Sequence, residues 1–152
     1  MEINFHFQKS VTLQNRRALK DFLRLIPSRE KTSINQLNII FCSDNYLLRI
    51  NKEYLNHNYF TDVITFELKD YNKQITGEVY ISVDSIKKNA NLFNTSVLNE
   101  LHRVIFHGVL HLCGYKDKTP KDSLLMKSME DKYLKLYFKD VPRGTKNNRR
   151  FT

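Results

Sequence analysis

The chain has 152 residues, which fits one domain that is long enough to bury a core. It carries 25 Lys and Arg against 16 Asp and Glu, so its formal net charge at pH 7 is +9. A cytosolic chain this basic favours nucleic acid or ribosomes as partners, although the lysine-rich composition of an AT-rich genome would give the same charge. The two cysteines form no spacing pattern, and the sequence has neither a signal peptide nor an apolar run of about 18 residues. We therefore expect a cytoplasmic protein without membrane attachment.

The first third of the sequence predicts a helix between two strands. Residues 2–7 alternate between polar and apolar side chains, which is typical of a half-buried strand. Residues 13–26 place their apolar side chains on one helical stripe. We expect Pro27 to end this helix, because proline disfavours the helical conformation of the residue before it. Residues 37–42 are rich in Leu and Ile and indicate a buried strand.

The middle of the chain predicts a helix followed by a β-hairpin. The helix runs to about residue 54, and two segments rich in β-branched and aromatic residues follow at 61–67 and 76–83. Because only a short polar turn at 70–74 separates these segments, we expect them to pair as antiparallel strands. Asp84 is then expected to cap a short helix.

Two polar residues near this hairpin have open interpretations. His57 lies in a polar and aromatic loop, and it could contact substrate near a functional cleft or simply be exposed. Asp62 stands at the start of a predicted strand. It could orient a ligand or a water, or it could be a turn residue that binds backbone groups.

The segment 106–117 carries the strongest functional pattern. Ser96 begins a predicted helix in which His107 and His111 lie four residues apart, within about 40° of each other on the helix surface. Two imidazoles at this spacing can share one ion. Gly114 predicts the end of the helix, because glycine adopts the left-handed conformation without penalty. Asp117 can then return as a third ligand, which leaves a fourth position for water, as in catalytic zinc sites.

Other residues of this helix limit the interpretation. A bare pair of histidines is often an ordinary surface or core feature, and His102 is expected to point away from the pair. Zinc proteases have a glutamate directly after the first histidine as general base, but Gly108 occupies that position here and has no group to take a proton. Peptide hydrolysis by that route is therefore disfavoured.

The final third of the sequence predicts one long helix and a tail. Thr119 and Pro120 form a helix-start signal. Leu125, Met129, Tyr133 and Leu136 follow at helical spacing and are expected to form a core stripe that packs over the metal helix. We expect a domain over residues 1–140 and a basic, flexible tail over 141–152 that could contact RNA by charge.

Three segments together resemble one known family. The run from His107 to Tyr115, HGVLHLCGY, is similar to the signature of the YbeY family of bacterial endoribonucleases, whose members bind one zinc ion. The segments TDVITF at 61–66 and GEVYIS at 77–82 are similar to two strands of that family, and the likeness covers nearly the whole chain. Two positions differ from the usual pattern: Asp117 stands where the family usually has a third histidine, and Leu55 stands where it usually has an arginine.

The resemblance implies a function and a set of ligands. It implies a metal-dependent endoribonuclease for single-stranded RNA that acts in 16S rRNA 3′-end maturation and ribosome quality control. One Zn²⁺ would be held by His107, His111 and Asp117, and nickel or iron would also accept these donors. Lys116 and Lys118 would hold phosphates beside the site. The expected partners are rRNA and the ribosome or its small subunit, with no organic cofactor.

The fold and two alternatives complete the sequence-based expectations. We predict a single α+β domain in which a small mixed sheet of about four strands packs with helices around a central, zincin-like metal helix. The sequence identifies no general acid or base. A non-catalytic, zinc-stabilised ribosome-assembly or RNA-binding factor is therefore the main alternative, and a small-molecule or peptide hydrolase is a weaker one.

Overall fold

Residues 1–141 contain a four-stranded mixed sheet. The structure, a computed structural model, describes residues 1–141, so the predicted tail lies outside the described residues except for Val141. The strands are β1 (Glu2–Phe7), β2 (Gln36–Cys42), β3 (Val63–Lys69) and β4 (Ile75–Ser82). Their order in the sheet is β1-β2-β4-β3, with β1, β2 and β4 parallel and β3 antiparallel to β4. The predicted mixed sheet and its hairpin are confirmed.

The described residues 1–141 form five helices in addition to this sheet. They are α1 (Arg16–Arg29), α2 (Asp44–Leu55), α3 (Val83–Leu92), α4 (Val97–Leu112) and α5 (Pro120–Asp140). The hydroxyls of Ser43, Ser96 and Thr119 cap α2, α4 and α5, each accepting a backbone N–H three residues further on. Among residues 1–141, no helix has the length and apolar character needed to cross a membrane.

Helix α4 lies at the centre of the core. Its apolar side chains are buried on nearly every side, and Leu101, Ile105 and Val109 are fully inaccessible. A Cβ on Gly108 would lie 2.5 Å from Cγ1 of Val79 on β4, so the glycine permits a close approach between this helix and the sheet. The prediction that this helix lies at the centre of the fold is therefore confirmed.

The predicted boundaries of two helices are wrong. Helix α1 begins at Arg16, not at residue 13, and continues to Arg29 with Pro27 inside its last turn. The missing N–H and the steric clash of a proline ring affect only the last turn of this helix. The ring of Pro27 is buried and packs into the core beside Ile26. Lys31, which has a positive φ, then changes the direction of the chain. Ser82, not Asp84, caps α3, and its hydroxyl accepts the N–H of Ser85 at 3.2 Å.

The predicted core stripe of α5 is also partly wrong. Tyr133 is buried as expected, but Leu125 is 52% exposed. The buried face consists instead of Met126, Glu130, Tyr133, Leu134 and Tyr137. This face includes a carboxylate, and that carboxylate reaches α4 at the candidate metal centre.

Candidate metal centre

The two histidines of α4 lie one turn apart and face each other, as the spacing predicts. The Nε2 atoms of His107 and His111 are 3.0 Å apart, and the two rings are nearly perpendicular at 87°. Because the helix is held in the core on its other sides, both rings project from a fixed backbone into the same pocket.

A bend after α4 brings the predicted third residue to the pair. Gly114 adopts a positive φ of 101°, and the N–H of Tyr115 returns to the carbonyl of Leu110 at 3.0 Å. Asp117 then turns back, and its Oδ2 atom lies 3.3 Å from Nε2 of His107 and 3.3 Å from Nε2 of His111. The structure therefore brings together the three residues that the sequence places in one site.

Each histidine is fixed through its other ring nitrogen. Nδ1 of His107 lies 2.6 Å from Oε2 of Glu130, and Nδ1 of His111 lies 2.9 Å from the carbonyl oxygen of Tyr115. A carbonyl or an ionised carboxylate can only accept a hydrogen bond, so each Nδ1 carries the proton. In the neutral rings, both Nε2 atoms then present lone pairs towards each other and towards Asp117.

This convergence of acceptors fits a bound cation. Three lone-pair atoms within 3.0–3.3 Å repel one another unless a proton or a metal ion lies between them. Two ligands at zinc distances of a tetrahedral ion are about 3.3 Å apart, which is close to the observed spacing. Among residues 1–141, this is the group of metal-ligating side chains that meets the distances for sharing an ion.

A network of charges from α5 supports His107. Arg103 donates to Glu130 at 2.8 Å and also pairs with Asp131, so Glu130 joins the guanidinium to the imidazole. Burial lowers the pKa of His107, but the hydrogen bond and charge of Glu130, together with the charges of Asp117 and Asp62, outweigh burial and raise this pKa. These surroundings therefore favour a positive charge at the imidazole of His107.

A second brace holds the loop that follows α4. The hydroxyl of Tyr115 donates to Glu30 at 2.7 Å, and the hydroxyl of Tyr133 donates to the same carboxylate. Burial raises the pKa of Tyr115 to about 12, with further contributions from Glu30. The residue whose carbonyl fixes His111 is thus itself fixed to the end of α1.

The three residues open into a pocket of about 680 Å³. Asp62 lines it and accepts a hydrogen bond from the amide of Asn89 at 3.2 Å, while its backbone carbonyl accepts the N–H of Ser82. Burial raises the pKa of Asp62, although the charge of His107 opposes the shift. Burial likewise raises the pKa of Glu100, with the charge of Asp62 adding to the effect. The pocket lining therefore includes the carboxyl groups of Asp62 and Glu100, together with those of Glu67 and Glu130, in addition to the candidate ligand Asp117.

The other residues singled out in the sequence lie partly inside and partly outside this pocket. His57 and Lys118 line the pocket, whereas Lys116 does not. His102 stacks on Tyr137 at 5.3 Å, outside the metal group, as expected. Burial raises the pKa of the Cys113 thiol to about 11.

Sequence reasoning missed Glu130 and Glu30, which brace the two histidines. Glu130 could have been suspected as a charged residue on the buried face of α5, one turn from Met126 and Tyr133. Glu30 carried no comparable signal, because its partners lie 85 and 103 residues away.

Fold and site together define a class of protein: a single-domain α+β protein whose buried, zincin-like helix presents two histidines to a carboxylate. Comparison with known proteins gives the family. The family model "Endoribonuclease YbeY" matches residues 2–137, and the chain belongs to that family.

Individual relatives agree with this assignment. The chain is 48% identical over 124 residues to "Endoribonuclease YbeY" of Cytophaga hutchinsonii, covering 82% of this chain and 87% of the relative. It is 42% identical over 135 residues to the protein of the same name from Flavobacterium johnsoniae, covering 89% and 96%. A solution structure of a Thermotoga maritima protein has the same fold, with a TM-score of 0.59, 24% identity, and coverage of 97% of this chain and 99% of that one.

Proposed function

We propose that this protein is a metal-dependent endoribonuclease that cleaves single-stranded RNA and acts in 16S rRNA 3′-end maturation and ribosome quality control. Its family and the names of its relatives support the reaction class. The net charge of +9 suits an RNA substrate, because phosphates attract a basic surface. We further propose a cytoplasmic location and the rRNA of the small ribosomal subunit as partner.

One observation carries the metal part of the proposal: three acceptor atoms converge within 3.0–3.3 Å, with both imidazoles fixed through Nδ1. We propose His107, His111 and Asp117 as ligands of one Zn²⁺. Zinc bound there would activate water by lowering its pKa towards about 7 and would polarise a phosphodiester oxygen.

The remaining pocket residues would bind and orient the RNA. Lys118 and Arg103 line the pocket and supply positive charge near the ligands. Arg103 is already paired with two carboxylates, so Lys118 is the better candidate for a direct phosphate contact. RNA also brings its own 2′-hydroxyl, which can serve as a nucleophile or as a mark of the correct substrate.

A cleavage assay tests this proposal. Purified protein with zinc should cut a single-stranded RNA, should spare a matched duplex, and should lose activity with a chelator or with His111→Ala. Cleavage that survives both treatments would exclude this site as the catalytic centre. Salt-dependent binding of RNA or ribosomal subunits without any cleavage would instead support the non-catalytic assembly factor.

A further inference from the structure

An exposed aromatic pair forms one wall of the metal pocket. The rings of His57 and Tyr59 are stacked, with centroids 5.1 Å apart and planes at 19°, and the tyrosine hydroxyl lies 2.9 Å from Nδ1 of His57. Both residues line the same pocket as His107 and His111. Tyr59 is nevertheless 55% exposed, so the pair is accessible from solvent.

A buried amide holds the loop that carries the pair. Asn51 on α2 is only 2% exposed, and its Nδ2 donates to the carbonyl oxygen of Tyr59 at 2.9 Å. The backbone carbonyl oxygen of Asn51 accepts the N–H groups of Asn56 and His57, where α2 ends in the left-handed residue Asn56. The backbone is therefore anchored on both sides of the ring pair, while the rings project outwards.

We infer that the stacked rings of His57 and Tyr59 are a platform for one nucleobase of the RNA strand whose phosphodiester enters the metal pocket. This inference rests on the proposed function. An exposed, flat, preorganised aromatic surface suits a base, because every base has a π-face and stacking tolerates different sequences. Lys118 lines the same pocket and suits the phosphates of the same strand.

The platform would also explain a preference for single strands. In a duplex, each base is stacked between its neighbours and its faces are covered. Only an unpaired strand can place a base on the two rings while its backbone reaches the metal ligands. The ring pair is thus a substrate-positioning element and not a source of metal ligands.

Binding of a fluorescent single-stranded RNA, followed by anisotropy at fixed salt with chelator present, tests the platform without cleavage. Tyr59→Ala should weaken binding about 5- to 150-fold, the range expected for one lost base–aromatic stack. Tyr59→Phe keeps the ring and should bind like the wild type. The matched control is Tyr71→Ala, which removes a 94% exposed tyrosine on the β3–β4 turn and should leave binding unchanged.

An abasic scan locates the stacked base. In the wild type, a single abasic ribose should weaken binding at one position of the oligonucleotide, and Tyr59→Ala should remove that sensitivity. Wild-type affinity in Tyr59→Ala, an equal loss in Tyr71→Ala, or abasic sensitivity that persists in Tyr59→Ala would each overturn the platform. His57→Ala provides the same readout if Tyr59→Ala does not fold.

Cleavage by the zinc-loaded wild type is measured separately, so the two proposals can fail independently. If the wild type cleaves RNA and Tyr59→Ala binds RNA with wild-type affinity, the platform is overturned and the nuclease proposal is not. Platform-dependent binding with no cleavage would support the platform and overturn the nuclease. No binding by the wild type would overturn the platform.

Discussion

The two walls of the pocket at His107, His111 and Asp117 are built in opposite ways. On one wall, His107 and His111 project from a buried helix, and a second partner fixes each ring through Nδ1. On the other wall, the rings of His57 and Tyr59 contact each other and stay accessible, and Asn51 anchors the backbone of their loop. Contacts with neighbouring residues therefore hold the side chains of the first wall and the main chain of the second.

This difference matches the roles that we propose for the two walls, metal binding for the first and RNA binding for the second. Metal ligands need locked rotamers, because small displacements weaken coordination. A surface that binds a strand of variable sequence needs accessible ring faces on a preformed backbone. Substitutions on the first wall should therefore change metal binding, and substitutions on the second should change RNA binding alone.

The largest expected effect is the loss of one histidine. His111→Ala removes a nitrogen donor and should lower metal affinity by more than the roughly 10- to 100-fold typical of losing a supporting residue. RNA cleavage should fall in parallel. Isothermal titration with zinc and an RNA cleavage assay measure the two quantities. Unchanged zinc binding in His111→Ala would remove the distinction between the walls.

A smaller effect is expected for the brace of His107. Glu130→Gln keeps a hydrogen-bond acceptor but removes the charge that Nδ1 contacts at 2.6 Å. Zinc affinity should fall about 10- to 100-fold. The matched control is Asp131→Asn, which alters the other carboxylate paired with Arg103 and keeps the contact between Glu130 and His107. An equal loss of zinc affinity in both variants would show that the effect comes from the ion pairs of Arg103 and not from the contact between Glu130 and His107.

The opposite wall should respond differently. Asn51→Ala removes the amide that donates to the Tyr59 carbonyl, so RNA affinity should fall about fivefold, as expected for one hydrogen bond of about 1 kcal/mol. Zinc affinity should not change. Asn58→Ala, at an exposed position of the same loop, is the control and should leave both affinities unchanged. A loss of zinc affinity in Asn51→Ala would show that the walls are coupled.

The last expected effect is on folding stability and concerns the brace of Tyr115. Burial raises the pKa of Glu30, but hydrogen bonds from Tyr133 and Tyr115 outweigh it, and the net pKa is lowered. A lowered carboxyl pKa contributes stability above the unfolded value of about 4.5, and this stability is lost as pH falls through the folded value. Glu30→Gln should therefore lower the free energy of unfolding at pH 7 by about 1–2 kcal/mol and flatten its acid dependence.

Urea unfolding at several pH values measures this effect. The exposed Glu53→Gln variant is the control and should follow the wild type throughout. If the free energy of unfolding of Glu30→Gln has the same acid dependence as that of the wild type, protonation of Glu30 does not cause this dependence.

Local sequence patterns predicted His107, His111 and Asp117 but did not predict the two glutamates that brace them. The four-residue spacing of His107 and His111 fixes their relation within one helix, and Gly114 signals the bend that returns Asp117. Glu130 and Glu30 act across 23 and 85 residues or more, so no local pattern could pair them with their partners. Tertiary packing decides those contacts.

The fold shows the same limit. Alternation and turn signals predicted the β3–β4 hairpin, but the order β1-β2-β4-β3 depends on how α1 and α2 cross the sheet. The continuation of α1 through Pro27 likewise depends on burial of its last turn, which the proline rule does not include.

Zinc stoichiometry and affinity in the wild type, Asp117→Ala and Asp117→His test the central claim most directly. The wild type should bind one zinc ion per chain, Asp117→Ala should bind it much more weakly, and Asp117→His should retain it because imidazole is also a good zinc ligand. Binding by Asp117→Ala with wild-type affinity would contradict the claim that these three residues form the metal centre.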